Sequence, residues 1–308
     1  MKSAFVKRAH TLGIDPTFSE ILAELLISRS VRVQVTGRPK DLNGKKALVV
    51  GGSGRMGAWL CRRLSNRGAT VQVWDPRGRI DGYESVVSLK NAARTADIIV
   101  LSSPLGVCPE ELDAVIDASP SGLVFDVCSV KAHISKRLRK AAKSGFKITS
   151  VHPMFGPNVA TPKGRNVVIC DCGNRKANEE AARLFSSAGA NVIEISLEEH
   201  DRMMAYVLGL AHACTLLFAG TLSVSGTKLR DFAPVTGPSF EKLLDSAKEL
   251  SKESVRVYHD IQALNPNTRR IFAQLKEVLE STKSASLDIE PAKFRKIIES
   301  SKEYLEVN

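Results

Sequence analysis

KKALVVGGSGRMGAWLCRRLSNRGATVQVWD, residues 45 to 75, changes character three times. A short apolar run stops at a glycine-rich turn, an amphipathic stretch follows and stops at Gly68, and a second β-rich run ends on Asp75. The order is strand, turn, helix, strand. Gly52-Ser53-Gly54-Arg55-Met56-Gly57 fits G-x-G-x-x-G at the junction of strand and helix. Glycines there permit a tight turn and let backbone N–H groups approach a pyrophosphate at the helix N-terminus. Asp75 closes the second strand about twenty residues later, where a carboxylate can bind a ribose diol. The stretch therefore predicts a dinucleotide site made by Gly52, Ser53, Gly54, Arg55, Met56, Gly57 and Asp75. Asp75 favours NAD because a 2′-phosphate would meet its charge, whereas Arg77 is the kind of neighbour that accommodates NADP. NAD is the expectation and NADP the alternative.

Outward from this unit the alternation continues. SLKNAARTA, DIIVLSSP, CPEELDAVIDAS, GLVFDVCS, KAHISKRLRKAAKSG and KITSVHP read in turn as helix and strand, and NVVICDCG, NEEAARLFSSAG and NVIEIS repeat the rhythm. Short buried strands alternating with helices predict an α/β fold, a doubly wound, mostly parallel, Rossmann-like sheet covered on both faces. After Ser196 the strands stop, and helix is expected to the end with breaks at GPS (237–239) and NPN (265–267). Three parts follow: an N-terminal helical segment and linker over 1–43, a dinucleotide-binding domain over 44–196, and an all-helical domain over 197–308. Within the first part, KSAFVKRAHTL is followed by a break at Gly13 to Pro16, an amphipathic FSEILAELLISRSVRVQV and a polar linker.

Composition narrows the function classes. Of 308 residues, 43% are hydrophobic and 25% charged, as in a soluble globular protein of about two domains. The formal charge of +11 suits an anionic partner, but the cations are dispersed and no aromatic-studded basic stripe is present, which argues against nucleic acid. The six cysteines form no C-x-x-C pair, and Cys170-Asp171-Cys172 has the wrong separation for a zinc knuckle; no metal site is expected. No signal peptide is read, and reduced thiols in a cytoplasm are the simplest account. MMAYVLGLAHACTLLFAGTL, residues 203–222, carries no formal charge over a bilayer's length. His212, two glycines and an S-x-x-E capping box at Ser196 and Glu199 fit the core helix of a soluble domain better than a membrane span.

Ligands of open α/β sheets bind beyond the carboxyl ends of the strands. Those ends supply Gly52, Asp75, Ser102-Ser103-Pro104, Asp126 with Ser129, and His152. In KITSVHPMFGPN, residues 147–158, His-Pro could simply end a strand, since proline cannot donate to the ladder. A parallel sheet, however, would deliver His152 to the cofactor edge beside Ser129, with Pro153 and Pro157 stiffening the turn.

GGSGRMG, DVCSVK, SVHPMFGP and EEHDRMMAY, in this order over about residues 45 to 270, resemble the prephenate dehydrogenase family. The resemblance implies a dinucleotide-binding domain followed by a helical dimerisation domain, and oxidation of prephenate or arogenate with NAD or NADP in tyrosine biosynthesis. It implies that His152 accepts the proton of the ring C4 hydroxyl, a role that suits a neutral imidazole with an ordinary pKa near 6.5. Ser129 would orient the hydroxyl and the histidine, Lys131 would support the loop, and Ser102, Ser103 and Pro104 would line the nicotinamide side. The partners implied are a small-molecule substrate and a second copy of the chain. One position departs: Glu249 stands where the family carries a substrate-binding arginine, leaving Lys242, Lys248, Lys252 or Arg256 to replace it. That departure keeps a non-catalytic dinucleotide-binding regulator as a rival. KRAHTLGIDPTFSEILAELLISRSVRVQ resembles the end of a chorismate mutase domain, without the cationic helices such a site needs.

Overall fold

The computed structural model describes residues 2–15, 17–26, 41–250 and 254–306. The chain divides into two compact units, one formed by residues up to Ser129 and His133–Leu197, the other by Val130–Ala132 and residues from Glu198 onward. The first begins with two helices, α1 (Lys2–Thr11) and α2 (residues 17–26). The remainder of the N-terminal amphipathic stretch and most of its linker lie outside the described residues.

Alternation then proceeds through β1 (Lys46–Val50), α3 (Arg55–Asn66), β2 (Thr70–Trp74), β3 (Glu84–Ser85), α4 (Leu89–Thr95), β4 (Ile98–Leu101), α5 (Cys108–Asp117), β5 (Leu123–Asp126), α6 (Ala132–Lys143) and β6 (Ile148–Pro153). The unit closes with β7 (Asn166–Asp171), α7 (Arg175–Ser186) and β8 (Asn191–Ser196). The eight strands form one sheet in the order β3-β2-β1-β4-β5-β6-β7-β8. Neighbours are parallel from β3 to β6, β7 runs antiparallel to β6, and β8 is parallel to β7. A parallel crossover needs a dozen or more residues and usually a helix. No helix separates β6 from β7, so the chain reverses there. The doubly wound, mostly parallel sheet is as expected, with this reversal added.

Every residue of β4, β5 and β6 is buried, which is why these strands read as continuous apolar runs. On α3, Trp59, Leu60, Cys61 and Leu64 face the sheet and pack into a cluster with Val49, Val71, Val73 and Phe125. Burial of one such large side chain contributes about 1.5–3 kcal/mol. The starts of α4 and α7 are capped by side chains, Ser88 Oγ accepting from Asn91 N at 3.3 Å and Asn174 Oδ1 from Ala177 N at 3.1 Å. No side chain caps α3, which begins after Gly54.

The second unit is helical. α8 (Leu197–Met204) runs through a π-helical turn at Ala205–Leu210 into α9 (Ala211–Ser223), followed by the short α10 (Leu229–Phe232) and a 3₁₀ turn at Ala233–Val235. Then come α11 (Pro238–Leu250), α12 (Val255–Leu264), α13 (Thr268–Ser286) and α14 (Ala292–Glu306). The expected breaks at Gly237 and Asn265 are present. Among the described residues, breaks at 224–228, at Ser254 before α12 and at 287–291 were not expected. At the first, Gly226 has φ +76° and Ser225 Oγ accepts from Thr227 N at 3.2 Å, a local turn that competes with helix. The run Leu197–Ser223 is long and apolar enough to cross a membrane, yet only 22% of its most apolar window is buried within the chain. Met204, Ala205, Gly209 and Ala213 are its buried residues in the apolar stretch. It is thus far less covered than a core helix would be.

Candidate active site

Register pairing joins Trp74 to Val50, Val50 to Leu101, Leu101 to Asp126 and Asp126 to Ser150. Five adjacent strands therefore end in one row, and the chemistry-bearing residues lie one to three positions beyond it. These are Asp75 after β2, Gly51 and Gly52 after β1, Ser102 and Ser103 after β4, and Ser129 after β5. His152, two residues past Ser150, is still inside β6. Strand order reverses between β1 and β4, which is where ligands of open α/β sheets bind.

The glycine turn is built by exclusion. Gly51, at φ +78°, donates its N–H to Trp74 O at 2.9 Å, and a Cβ there would lie 2.8 Å from Ser103 N. A Cβ on Gly52 would lie 2.5 Å from Val73 Cγ1, and one on Gly57 would lie 2.2 Å from Gly51 O. Gly54 is different, since its nearest neighbours in that direction are Gly51 O at 3.2 Å and Arg77 Nη2 at 3.5 Å. Around it, α3 starts with no side-chain cap and no acidic residue in its first turn. Such an N-terminus suits a pyrophosphate, the aligned N–H groups and helix dipole both favouring an anion. Arg55 is exposed there, while Met56 packs against the core, so its contribution at the turn is its backbone. Ser102 Oγ is buried beyond β4 and finds no hydrogen-bond partner among the described residues, and Pro104 O accepts from Val107 N and Cys108 N, starting α5. The residues present fit a dinucleotide.

Asp75 is held tightly. Its side chain is 0% exposed and its carboxylate accepts from Ser53 N, Ser53 Oγ, Arg77 N, Arg77 Nε and Arg77 Nη2. Burial pushes its pKa up, but the hydrogen bonds from Arg77 and Ser53 prevail and hold it at about 2. Beside this pair, Glu111 of α5 is half-buried, and burial raises its pKa, with Ser103 pulling it down and Asp75 pushing it up.

Asp126 Oδ1 accepts from Cys128 N at 2.9 Å, an Asx-type turn that bends the chain after β5 and leads to Ser129. His152 is 6% exposed and pairs in register with Val168 of β7. The turn after it is anchored on α3: Trp59 Nε1 donates to Val159 O at 2.8 Å, and the Trp59 and Phe155 rings meet edge-on at 5.2 Å. The helix that starts at the glycine turn thus also steadies the segment carrying His152.

Residues 81–194 match the model for the nucleotide-binding domain of prephenate dehydrogenase. The chain is 28% identical over 251 residues to a probable arogenate/prephenate dehydrogenase of Methanocaldococcus jannaschii, spanning 77% of this chain but only 56% of that relative's length. With the 4-amino-4-deoxyprephenate dehydrogenase of Streptomyces pristinaespiralis it shares 30% identity over 239 residues, 72% of this chain and 78% of that protein. The chain belongs to the prephenate dehydrogenase family. The fold of the family is repeated in the solved prephenate dehydrogenase of A. aeolicus, a complex with hydroxyphenyl propionate and NAD+ (TM-score 0.67, 21% identity, 87% of this chain and 100% of that one).

Within this family member, several residues of the site had escaped sequence reading. Gly51 was passed over beside Gly52, although a glycine doublet ending a strand is a cue for positive φ. Glu111 gave no cue, because its approach to Ser103 and Asp75 depends on how α5 packs. In the helical unit, the Asp201 carboxylate accepts from Lys131 N at 2.8 and 3.1 Å and from Ala132 N at 2.7 Å, with His200 Nδ1 2.9 Å away. Asn265 Nδ2 donates to Asp201 O at 2.8 Å. The DVCSVK and EEHDR motifs therefore meet through Asp201, and both His200 and the Lys131 side chain are fully buried. Of the cations that could replace an arginine at Glu249, Lys248 pairs with Asp245 at 2.9 Å and Arg256 with Asp260 at 3.0 Å. Lys252 lies outside the described residues. His212 stacks edge-on against Tyr258 at 4.5 Å, and burial lowers its pKa.

Proposed function

We propose that this protein oxidises prephenate to 4-hydroxyphenylpyruvate with release of CO2, passing a hydride to a nicotinamide dinucleotide in tyrosine biosynthesis. The observation that carries the reading is the register row through β2, β1, β4, β5 and β6, beyond which lie a glycine turn, Ser102, Ser129 and His152 in a chain of this family. His152 is the general base: its imidazole takes the C4 hydroxyl proton as the C4–H bond gives up hydride. Ser129 orients that hydroxyl. When bound, the nicotinamide ring accepts the hydride. The ring carboxylate then leaves as CO2 because its electrons complete an aromatic ring, so no additional acid is needed. Arogenate, with an amino-acid side chain, is the alternative substrate for the same chemistry, and the M. jannaschii relative bears both names. The dehydrogenase names of the relatives do not favour a non-catalytic regulator. The working form is taken to be a cytoplasmic homodimer joined through residues 197–308, with no nucleic-acid or membrane partner.

The test is an absorbance assay for reduced nicotinamide, offering prephenate and arogenate separately to the purified protein with NAD+ and then NADP+. Turnover of one substrate is expected. In His152→Asn it should fall by about 10²- to 10⁴-fold, the usual contribution of a general base, with nucleotide binding kept. A His152→Asn protein with undiminished turnover would remove histidine from the mechanism.

A further inference from the structure

The Asp75–Arg77 pair bears on which dinucleotide this chain takes. Asp75 is the residue expected to hold a 2′,3′-diol, yet its carboxylate already receives five donor contacts. Oδ1 accepts from Arg77 N at 2.9 Å and Arg77 Nε at 3.2 Å, and Oδ2 accepts from Ser53 N at 3.0 Å, Arg77 Nη2 at 3.2 Å and the Ser53 hydroxyl. A carboxylate has about four lone-pair sites. With its side chain 0% exposed, Asp75 meets a ribose hydroxyl only if Arg77 lets go. Arg77 itself is 58% exposed, so the side chain stays open to solvent while its Nε and Nη2 hold the carboxylate, and Nη2 also lies beside Gly54, whose added Cβ would stand 3.5 Å away. Glu111 is the other acidic group acting on Arg77, its pKa raised by burial against the pull of Ser103.

We propose that Arg77, not Asp75, faces the adenosine 2′ position, and that this chain therefore binds NADP at least as tightly as NAD. The inference rests on the dinucleotide-binding reading given above and departs from its NAD expectation. The 2′-phosphate of NADP pairs with a planar, permanently charged fork. NAD, lacking that phosphate, must displace Arg77 before its diol reaches Asp75. Removal of the guanidinium should therefore act in opposite directions on the two cofactors.

The experiment is isothermal titration of the full chain, wild type and Arg77→Gln, with NAD+, NADP+, adenosine 5′-monophosphate and adenosine 2′,5′-bisphosphate. For the wild type, NADP+ is expected to bind no more weakly than NAD+, and the bisphosphate more tightly than the monophosphate. Arg77→Gln should weaken NADP+ and the bisphosphate by about tenfold or more, the loss of a charge-assisted pair, while NAD+ is held as well or better. Arg77→Lys, which keeps the charge and loses the fork, should fall between. A wild type that prefers NAD+ by tenfold or more, or an Arg77→Gln protein in which both cofactors change alike, overturns the role of Arg77 and leaves the dehydrogenase reading standing. Failure of the folded wild type to bind any of the four overturns both.

Discussion

Asp75 is where the residue scale is most informative. Its pKa falls from an ordinary 3.8 to about 2 because the hydrogen bonds from Arg77 and Ser53 outweigh the opposing effect of burial. A carboxylate depressed in the folded state contributes stability that is complete above the unfolded pKa and is lost as pH drops through the folded one. The shift corresponds to roughly 1 to 2 kcal/mol after allowing for solvent screening on the Arg77 side. Between about pH 4 and pH 2 the wild type should therefore lose that increment, and Asp75→Asn should not. Urea unfolding midpoints of the two proteins across this window give the answer, and parallel curves would sink the assignment. Asp75 was legible as a site residue from its spacing to the glycines. Its capture by Arg77 was not, since two residues of separation leave the side-chain direction open.

Between strand and helix, the glycine turn allows two similar residues to be told apart. An added Cβ on Gly57 would stand 2.2 Å from Gly51 O and 2.8 Å from Gly52 Cα, so Gly57→Ala must push α3 away from β1. Overpacking of this kind destabilises by about 1–3 kcal/mol. Because Trp59 on the same helix holds Val159, the displacement should also loosen the segment carrying His152. Gly54→Ala, whose nearest contact is 3.2 Å, should cost less stability while still weakening dinucleotide binding at the helix start. Thermal unfolding and nucleotide titration of both variants separate the effects; equal melting temperatures would contradict the packing role of Gly57. Most elements of this unit were readable because buried parallel strands are continuous apolar runs bounded by turn residues. The two-residue β3 was not, since so short a segment carries no periodicity.

At the scale of the whole molecule, the helical unit carries exposed apolar side chains. Val207 is 51% exposed, Leu216 48% and Leu217 52%, all on the run that, among the described residues, is apolar enough to span a bilayer. Large apolar side chains left this open on so apolar a run suit a protein or membrane contact. The homodimer proposed above predicts that equilibrium sedimentation will give twice the chain mass at micromolar concentration, and that Leu216→Asp with Leu217→Asp will give the monomer. A wild type that stays monomeric and floats with lipid vesicles would transfer this helix to a membrane. Sequence reading assigned the run to a buried core, because hydropathy along one chain cannot distinguish a core helix from one that waits for a partner.

From sequence alone, periodicity and punctuation determined the α/β class, the strand–turn–helix–strand unit with its glycine turn and acidic partner, and the change to helix after Ser196. These are local or repeating properties, carried by residues a few positions apart. Tertiary structure alone decided that five strand ends share one row, that the segment after His152 leans on Trp59, that Asp201 joins two distant motifs and that Arg77 occupies Asp75. Each depends on register or on a side-chain direction between residues whose relation is set only once the chain has packed.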